Sequence, residues 1–125
     1  ISTTVLIGSA VSVTTATAKT VGSISLTAGD WDVTINLQFL HAGTTSISQT
    51  FGAISLVDNT LDGTSGRFSA HDFTAYVPGN NPQTEQVGPE RFSVSSTTTV
   101  YMVARASFTV STCTAYGKIS ARRVR

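Results

Sequence analysis

The sequence predicts an antiparallel all-β domain, and three observations support this fold class. Residues 30–39 alternate strictly, with an apolar side chain at each odd position and a polar one at each even position. Successive side chains of a strand point to opposite faces, so this segment has one face in a core. Similar alternation recurs along the chain, and no segment shows the period of a helix. Thr and Ser make up roughly three in ten residues, and β-branched Thr suits a pleated surface.

The remaining elements follow from the same alternation and from turn residues between them. We expect bulges near Gly22-Ser23 and near Gly52-Ala53, because the apolar phase shifts there. Residues 78–89 hold all three prolines and are predicted to be the longest loop. Strands of this number, without helices between them, indicate a jelly-roll-like β-sandwich. The predicted strands cover residues 4–7, 10–14, 19–26, 30–40, 46–57, 67–77, 91–95, 98–110 and 112–124.

Length and composition favour a single domain over residues 1–125 and exclude several functions. The chain has a formal charge of +1 with 12% charged residues, which does not suit a nucleic-acid binder. No apolar segment is long enough to cross a bilayer, so we expect no membrane insertion. The hydroxyl-rich, weakly charged composition suits an extracellular or virion β-protein. The first residue, Ile1, predicts a processed product or an excised fragment of a longer protein.

Two late strands predict an interface between subunits. Residues 100–108 place apolar side chains on their even face, which is core, and Tyr101, Val103 and Arg105 on their odd face. The last strand places Tyr116 and Arg122 opposite its core face in the same way. We expect Tyr101, Val103 and Tyr116 to form an exposed aromatic stripe, an arrangement typical of interfaces.

Catalysis is weakly marked in this chain, and we predict that it is not an enzyme. His41, His71 and Asp72 stand among many hydroxyls, but no Gly-x-Ser-x-Gly motif supports a Ser-His-Asp triad. Glu85 and Glu90 are expected in a solvated loop rather than as paired acids of a glycosidase.

We also predict neither a metal nor a cofactor. Residues 58–63 partly resemble a calcium loop, but the twelfth position is Ser69 instead of a bidentate Glu. Turn geometry explains the same residues better. Cys113, the single cysteine, precludes an intrachain disulfide and is expected to be a buried, inert thiol.

The C-terminal segment is basic, since residues 105–125 contain arginines and a lysine but no acid. In an assembly with threefold symmetry, arginines near the axis would repel one another unless they bound carboxylates or phosphate. We therefore expect anion or intersubunit carboxylate contacts, with Asp30, Asp32 or Glu90 as partners.

Three segments carry a resemblance to a known family. ISLTAGDWDVTINLQF and TTTVYMVARASF resemble strands of trimeric jelly-roll domains of the tumour-necrosis-factor and complement-head type. TAYGKISARRVR resembles C-terminal segments of tail-fibre and tail-needle proteins of tailed bacteriophages. The resemblance covers less than half of the chain, and residues 42–90 match nothing in the family. It implies a parallel homotrimer that forms the C-terminal knob of a longer fibrous protein.

The function implied by this resemblance is non-covalent attachment of a virion appendage, a tail fibre or needle, to a glycan or protein of the host surface. Triplicated loops would gain avidity from the trimer. The alternatives are a purely structural trimerisation or capsid-decoration domain, and a secreted lectin-like carbohydrate-binding module. The recognition loops are expected at residues 41–45, 58–66 and 78–89. Their candidate contact residues are His41, Thr44, Asp62, Tyr76, Asn80, Asn81 and Gln83.

Overall fold

Nine strands occur in residues 1–79 and 81–125, which are the residues described by a computed structural model of the chain. A single 3-10 turn, Ile7–Ser9, separates the first two strands, and no helix in the described part is long and apolar enough to span a membrane. The strands are β1 (Ser2–Val5), β2 (Val11–Val13), β3 (Lys19–Leu26), β4 (Gly29–His41), β5 (Ser46–Ser55), β6 (Phe68–Tyr76), β7 (Gln83–Val94), β8 (Thr98–Thr109) and β9 (Cys113–Arg123).

The strands form two antiparallel sheets packed as a sandwich. The first sheet has the order β1-β9-β4-β7, and the second has the order β3-β8-β5-β6. Strand β2 also pairs with β9, next to β1, so β1 and β2 together act as one interrupted strand. Strands distant in the chain are thus neighbours in both sheets, as in an eight-stranded jelly roll. The predicted fold class is confirmed.

The core lies between the two sheets and follows the predicted alternation. The odd residues Val33, Ile35, Leu37 and Phe39 of β4 are fully buried. The even face of β8 packs against them, with Val100, Met102, Ala104 and Ala106 also fully buried. Apolar area removed from water stabilises the fold by about 25 cal/mol per Å², so this shared face dominates the stability.

The prediction of a long loop at residues 78–89 is wrong. Strand β7 begins at Gln83 and pairs with β4 through most of that segment. It is an edge strand of the first sheet, and Gly88 and Pro89 fall where the register shifts between Val33 and Ile35. Proline is tolerated at such a place because an edge strand at a bulge leaves one N–H without a ladder partner.

The predicted bulges exist in β3 and β5, with one displaced. The shift in β3 lies between Thr20 and Gly22, close to the expected place. The shift in β5 lies between Ile47 and Gln49 rather than at Gly52-Ala53. Residues 52–55 are all buried, so both faces of β5 are covered there. Apolar side chains therefore occur at odd and even positions, and this looked like a shift of phase in the sequence.

The predicted aromatic stripe does not form. Tyr101 belongs to β8 and Tyr116 to β9, and these strands lie in different sheets of the sandwich. Val103 is fully buried, although its side of β8 is the outer one. The segment between β5 and β6 folds back toward this region, since Asn59 and Thr20, a register partner of Val103, exchange two hydrogen bonds of 2.9 Å.

Candidate functional site

A fully buried carboxylate marks the gap between the two sheets at their β6–β7 edge. Glu85 of β7 lies opposite Leu37 and points to the inner side of the first sheet. Its Oε2 accepts a hydrogen bond of 2.6 Å from Thr50, and its Oε1 accepts one of 2.7 Å from Ser69. Burying an ionised group without partners is expensive, and these donors offset that cost. The predicted solvated loop position for Glu85 is therefore wrong.

Strand topology and one glycine make room for this side chain. Strands β6 and β7 are edges of opposite sheets, and in the described part of the chain no further strand closes the sandwich between them. A Cβ atom at Gly52 of β5 would lie 3.0 Å from Cβ of Glu85 and 3.1 Å from a methyl group of Leu37. Glycine at this position lets the carboxylate sit inside the sandwich without displacing the core.

His71 of β6 connects the buried carboxylate to solvent. Its Nδ1 lies 2.8 Å from both Oε1 and Oε2 of Glu85, while its side chain is 60% exposed. With Glu85 ionised, its carboxylate can only accept hydrogen bonds, and Nδ1 of His71 is then the donor. The opposite ring nitrogen, Nε2, points away from Glu85 and is held in a fixed orientation.

Two aromatic rings continue from His71 along the same edge. The rings of His71 and Phe73 are nearly parallel, with centroids 6.4 Å apart, and Phe73 meets Tyr76 edge to face at 5.7 Å. Tyr76 joins this row where the β5–β6 pairing is irregular. The amide nitrogen of Gln83, in β7, donates to the hydroxyl oxygen of Tyr76. We call Glu85, His71, Phe73, Tyr76 and Gln83 the edge site.

Some predicted recognition residues meet at the edge site and others do not. Tyr76 and Gln83 belong to it, and exposed Asn81 precedes β7, where its side chain donates to the carbonyl of Pro78. Asn80 lies outside the described residues, and Thr44 is exposed in the β4–β5 turn. The sequence interpretation missed Phe73, and it did not link His71 to Glu85. The available signal was the Glu85-x-Val87 alternation, which places an acid in phase with a core residue.

His41 is buried rather than exposed, contrary to the expected loop position. It ends β4, opposite Cys113 in the register of β9. Among the described residues, neither ring nitrogen has a hydrogen-bond partner. Burial lowers the pKa of His41, because the charged imidazolium would be poorly solvated there. Its side chain therefore has no access to a ligand on the surface.

Asp62 is used within its own turn. One carboxylate oxygen accepts from the backbone N–H of Thr64 at 2.9 Å, and the other pairs with Arg67 at 3.0 Å. Hydrogen bonding by Thr64, together with Arg67, lowers the pKa of Asp62. In the described part of the chain, no three His, Cys, Asp or Glu side chains are grouped to hold a metal ion.

The basic C-terminal segment finds carboxylates within the same chain. Arg91 and Arg122 flank Asp32 at 2.8 and 3.4 Å, and Arg125 pairs with Asp30 at 2.9 Å. The hydrogen bond from Arg91 is the main cause that lowers the pKa of Asp32. The sequence predicted that Asp30 and Asp32 would bind arginines of another subunit. Both carboxylates instead bind arginines of their own chain, so intersubunit contacts are not needed to neutralise these arginines.

A shallow groove of about 360 Å³ lies on the outer face of the first sheet. Leu6 and Ile7, in and beside the 3-10 turn, line it and are 68% and 55% exposed. Tyr116 of β9, one of the predicted interface residues, lines the same groove. Two exposed aliphatic side chains beside a tyrosine make this part of the outer face apolar.

Comparison with known proteins supports the fold and little beyond it. No protein-family model matches the chain, and no curated protein matches it either. One chain in the structure of infectious bursal disease virus, Gx strain, superposes on it with a TM-score of 0.51 and 15% sequence identity. The match covers 97% of this chain and 29% of the viral one, so this chain spans less than a third of that protein. At this identity, the likeness shows a shared all-β sandwich fold alone.

Proposed function

We propose that this chain is a structural jelly-roll module of a virus particle that associates with further copies of itself. The observation that carries this proposal is the match of nearly the whole domain to part of a chain from a virus structure. The composition supports it, because a surface of hydroxyl groups with few charges suits packing among identical neighbours. Its action is non-covalent binding rather than catalysis.

The outer groove of the first sheet is the contact surface that we propose for this association. Leu6 and Ile7 expose apolar area beside Tyr116, and a neighbouring copy would remove that area from water. The groove lies on the outer face of the first sheet, whereas the edge site lies between the sheets at their β6–β7 edge, so the two surfaces are distinct.

Light scattering after size-exclusion chromatography tests the association. We expect a mass above that of one 13.1 kDa chain, with the trimer implied by the family resemblance as the specific expectation. The double variant Leu6→Ser/Ile7→Ser should shift the mass toward the monomer. Val57→Ser, which also removes an exposed aliphatic side chain but at the β5–β6 connection, should leave the mass unchanged. A native protein that stays monomeric at all concentrations refutes the assembly.

A second role, attachment to the host surface as the knob of a tail fibre or needle, is favoured by the edge site. A structural spacer has no need of a carboxylate buried beneath an exposed imidazole and aromatic rings. Saturable binding of labelled protein to host cells, competed by unlabelled protein, would support attachment over a purely structural or capsid-decorating role. Binding by a monomer would instead favour the secreted lectin-like alternative.

A further inference from the structure

We propose that the edge site is a carbohydrate-binding site that selects neutral glycans over sialylated or sulfated ones. The inference deepens the attachment role proposed above and rests on it for its biological setting. Three features of the edge site favour such a ligand: a fixed imidazole, an apolar platform and the local charge.

The imidazole of His71 is a pre-oriented partner for a sugar hydroxyl. Both oxygens of Glu85 hold Nδ1 at 2.8 Å, and Thr50 and Ser69 fix the carboxylate in turn. The His71 side chain is 60% exposed, and its Nε2 can accept a hydrogen bond when Nδ1 alone carries a proton and donate one when both nitrogens do. A sugar hydroxyl can donate or accept a hydrogen bond, so it can pair with Nε2 in either state. Fixing the ring before binding reduces the entropy lost when a ligand is held.

Phe73 and Tyr76 supply an apolar surface next to this polar group. The C–H groups on one face of a pyranose ring can pack against an aromatic ring while its hydroxyls reach polar neighbours. Tyr76 is 40% exposed, and Gln83 fixes its hydroxyl from the facing strand. The Gln83 amide retains donor and acceptor capacity for a ligand. An aromatic platform flanked by imidazole and amide groups fits a sugar better than a purely apolar molecule.

The charges of the site favour a neutral ligand. Glu85 is the acid of the edge site, whereas Asp72 of β6 accepts a hydrogen bond of 2.8 Å from Gln49 on the outer face of the second sheet. Among the described residues, no Lys or Arg forms a hydrogen bond or ion pair with a member of the edge site. Arg105 binds Gln49 and covers the Phe51 ring on the outer face of the second sheet. A sialic acid carboxylate or a sulfate would therefore lie near the Glu85 carboxylate without a Lys or Arg from the described hydrogen-bonded neighbours of the edge site.

A glycan array carrying neutral, sialylated and sulfated glycans, probed with the labelled intact chain, tests the selectivity. We expect binding to a subset of the neutral glycans. NMR titration of the 15N-labelled chain with the sugar at the end of the best neutral glycan should then shift the amide signals of residues 69–76 and 83–85. Binding only to anionic glycans, no binding to any glycan, or shifts confined to other residues would overturn the inference.

Variants assign the binding to individual side chains. Phe73→Ala should weaken the titrated affinity by about tenfold or more, since aromatic packing contributes on that scale. His71→Ala should also weaken the affinity for the sugar. If His71→Ala fails to fold, Phe73→Ala still tests the site. The matched control is Phe68→Ala, which removes an exposed ring of the same strand that stacks on Phe51 instead. It should bind within twofold of the native chain, and equal losses in all three variants would refute the site.

The outcome is separable from that of the assembly proposal. Light scattering on the same samples reports association independently of sugar binding. A chain that assembles but binds no glycan would refute this inference and leave the structural role standing. A chain that binds neutral glycans as a monomer would refute the assembly proposal and support this inference.

Discussion

The Nδ1 atom of His71 lies 2.8 Å from both carboxylate oxygens of Glu85, and this contact joins an exposed ring to a fully buried acid. A carboxylate inside a sandwich is costly unless donors surround it. Thr50 and Ser69 are two of those donors, and His71 is the third. A hydrophobic residue at position 85 would have filled the same space without needing any donor.

The buried carboxylate predicts an asymmetric effect of two threonine substitutions. Thr50→Val removes a 2.6 Å donor to Glu85 and should lower the free energy of unfolding by about 2 kcal/mol, as expected for a hydrogen bond to a charged group. Thr84→Val, on the exposed side of β7 next to Glu85, should change it by less than about 0.5 kcal/mol. Urea denaturation measures both. Similar losses in the two variants would show that Thr50 contributes nothing specific to the carboxylate.

The buried His41 predicts that acid destabilises the fold. Its pKa is lowered in the folded state below the ordinary value of 6.5, so the unfolded chain binds a proton more readily. Its contribution to stability is complete above about pH 6.5 and is lost as the pH falls below that value. His41→Leu should reduce this decline in a pH series of urea denaturations, whereas Thr44→Val, in the adjoining turn, should retain it. An unchanged decline in His41→Leu would contradict the assignment.

The arginines beside Asp32 should influence its pKa unequally. Arg91→Gln removes the closer hydrogen bond, at 2.8 Å, and should raise the pKa of Asp32 toward its ordinary value of 3.8. Arg122→Gln should raise it less, because that guanidinium lies at 3.4 Å and is mostly exposed to solvent. NMR titration of the side-chain carboxyl carbon measures the pKa in each variant. A larger rise in Arg122→Gln would reverse the order of these two contacts.

Cys113 should be unreactive while the chain is folded. Burial raises the pKa of its thiol to about 12, and the thiolate is the reactive species. Ellman's reagent at pH 8 should therefore label the native chain very slowly and the chain unfolded in guanidinium completely. Rapid labelling without denaturant would mean that the end of the sandwich near His41 and Cys113 opens readily.

The strands with a clean alternation were predictable because burial alone decides their pattern. Residues of β4 and β8 alternate as the sequence predicts, and their apolar faces meet in the core. The first part of β7, residues 83–90, was missed because Glu85 occupies a core position and Pro89 lies at a bulge, and both residue types are common in loops. Its last part lies within the strand predicted at residues 91–95. The burial of Val103 was missed because it depends on a distant connection held by Asn59 and Thr20.

The edge site was predictable only in fragments. Tyr76 and Gln83 could be proposed from a loop rich in polar residues, but their partners His71 and Glu85 are 14 residues apart in the chain. No local pattern specifies that β6 and β7 become edges of opposite sheets, facing each other across the gap.

By itself, the sequence determined the all-β class and the inner faces of its clearest strands, since the two-residue period and apolar burial are local properties. The tertiary structure decided which strands became edges, which outer residues were covered, and which polar groups met around the buried acid. Those outcomes depend on strand order and register, which arise from contacts between segments far apart in the chain.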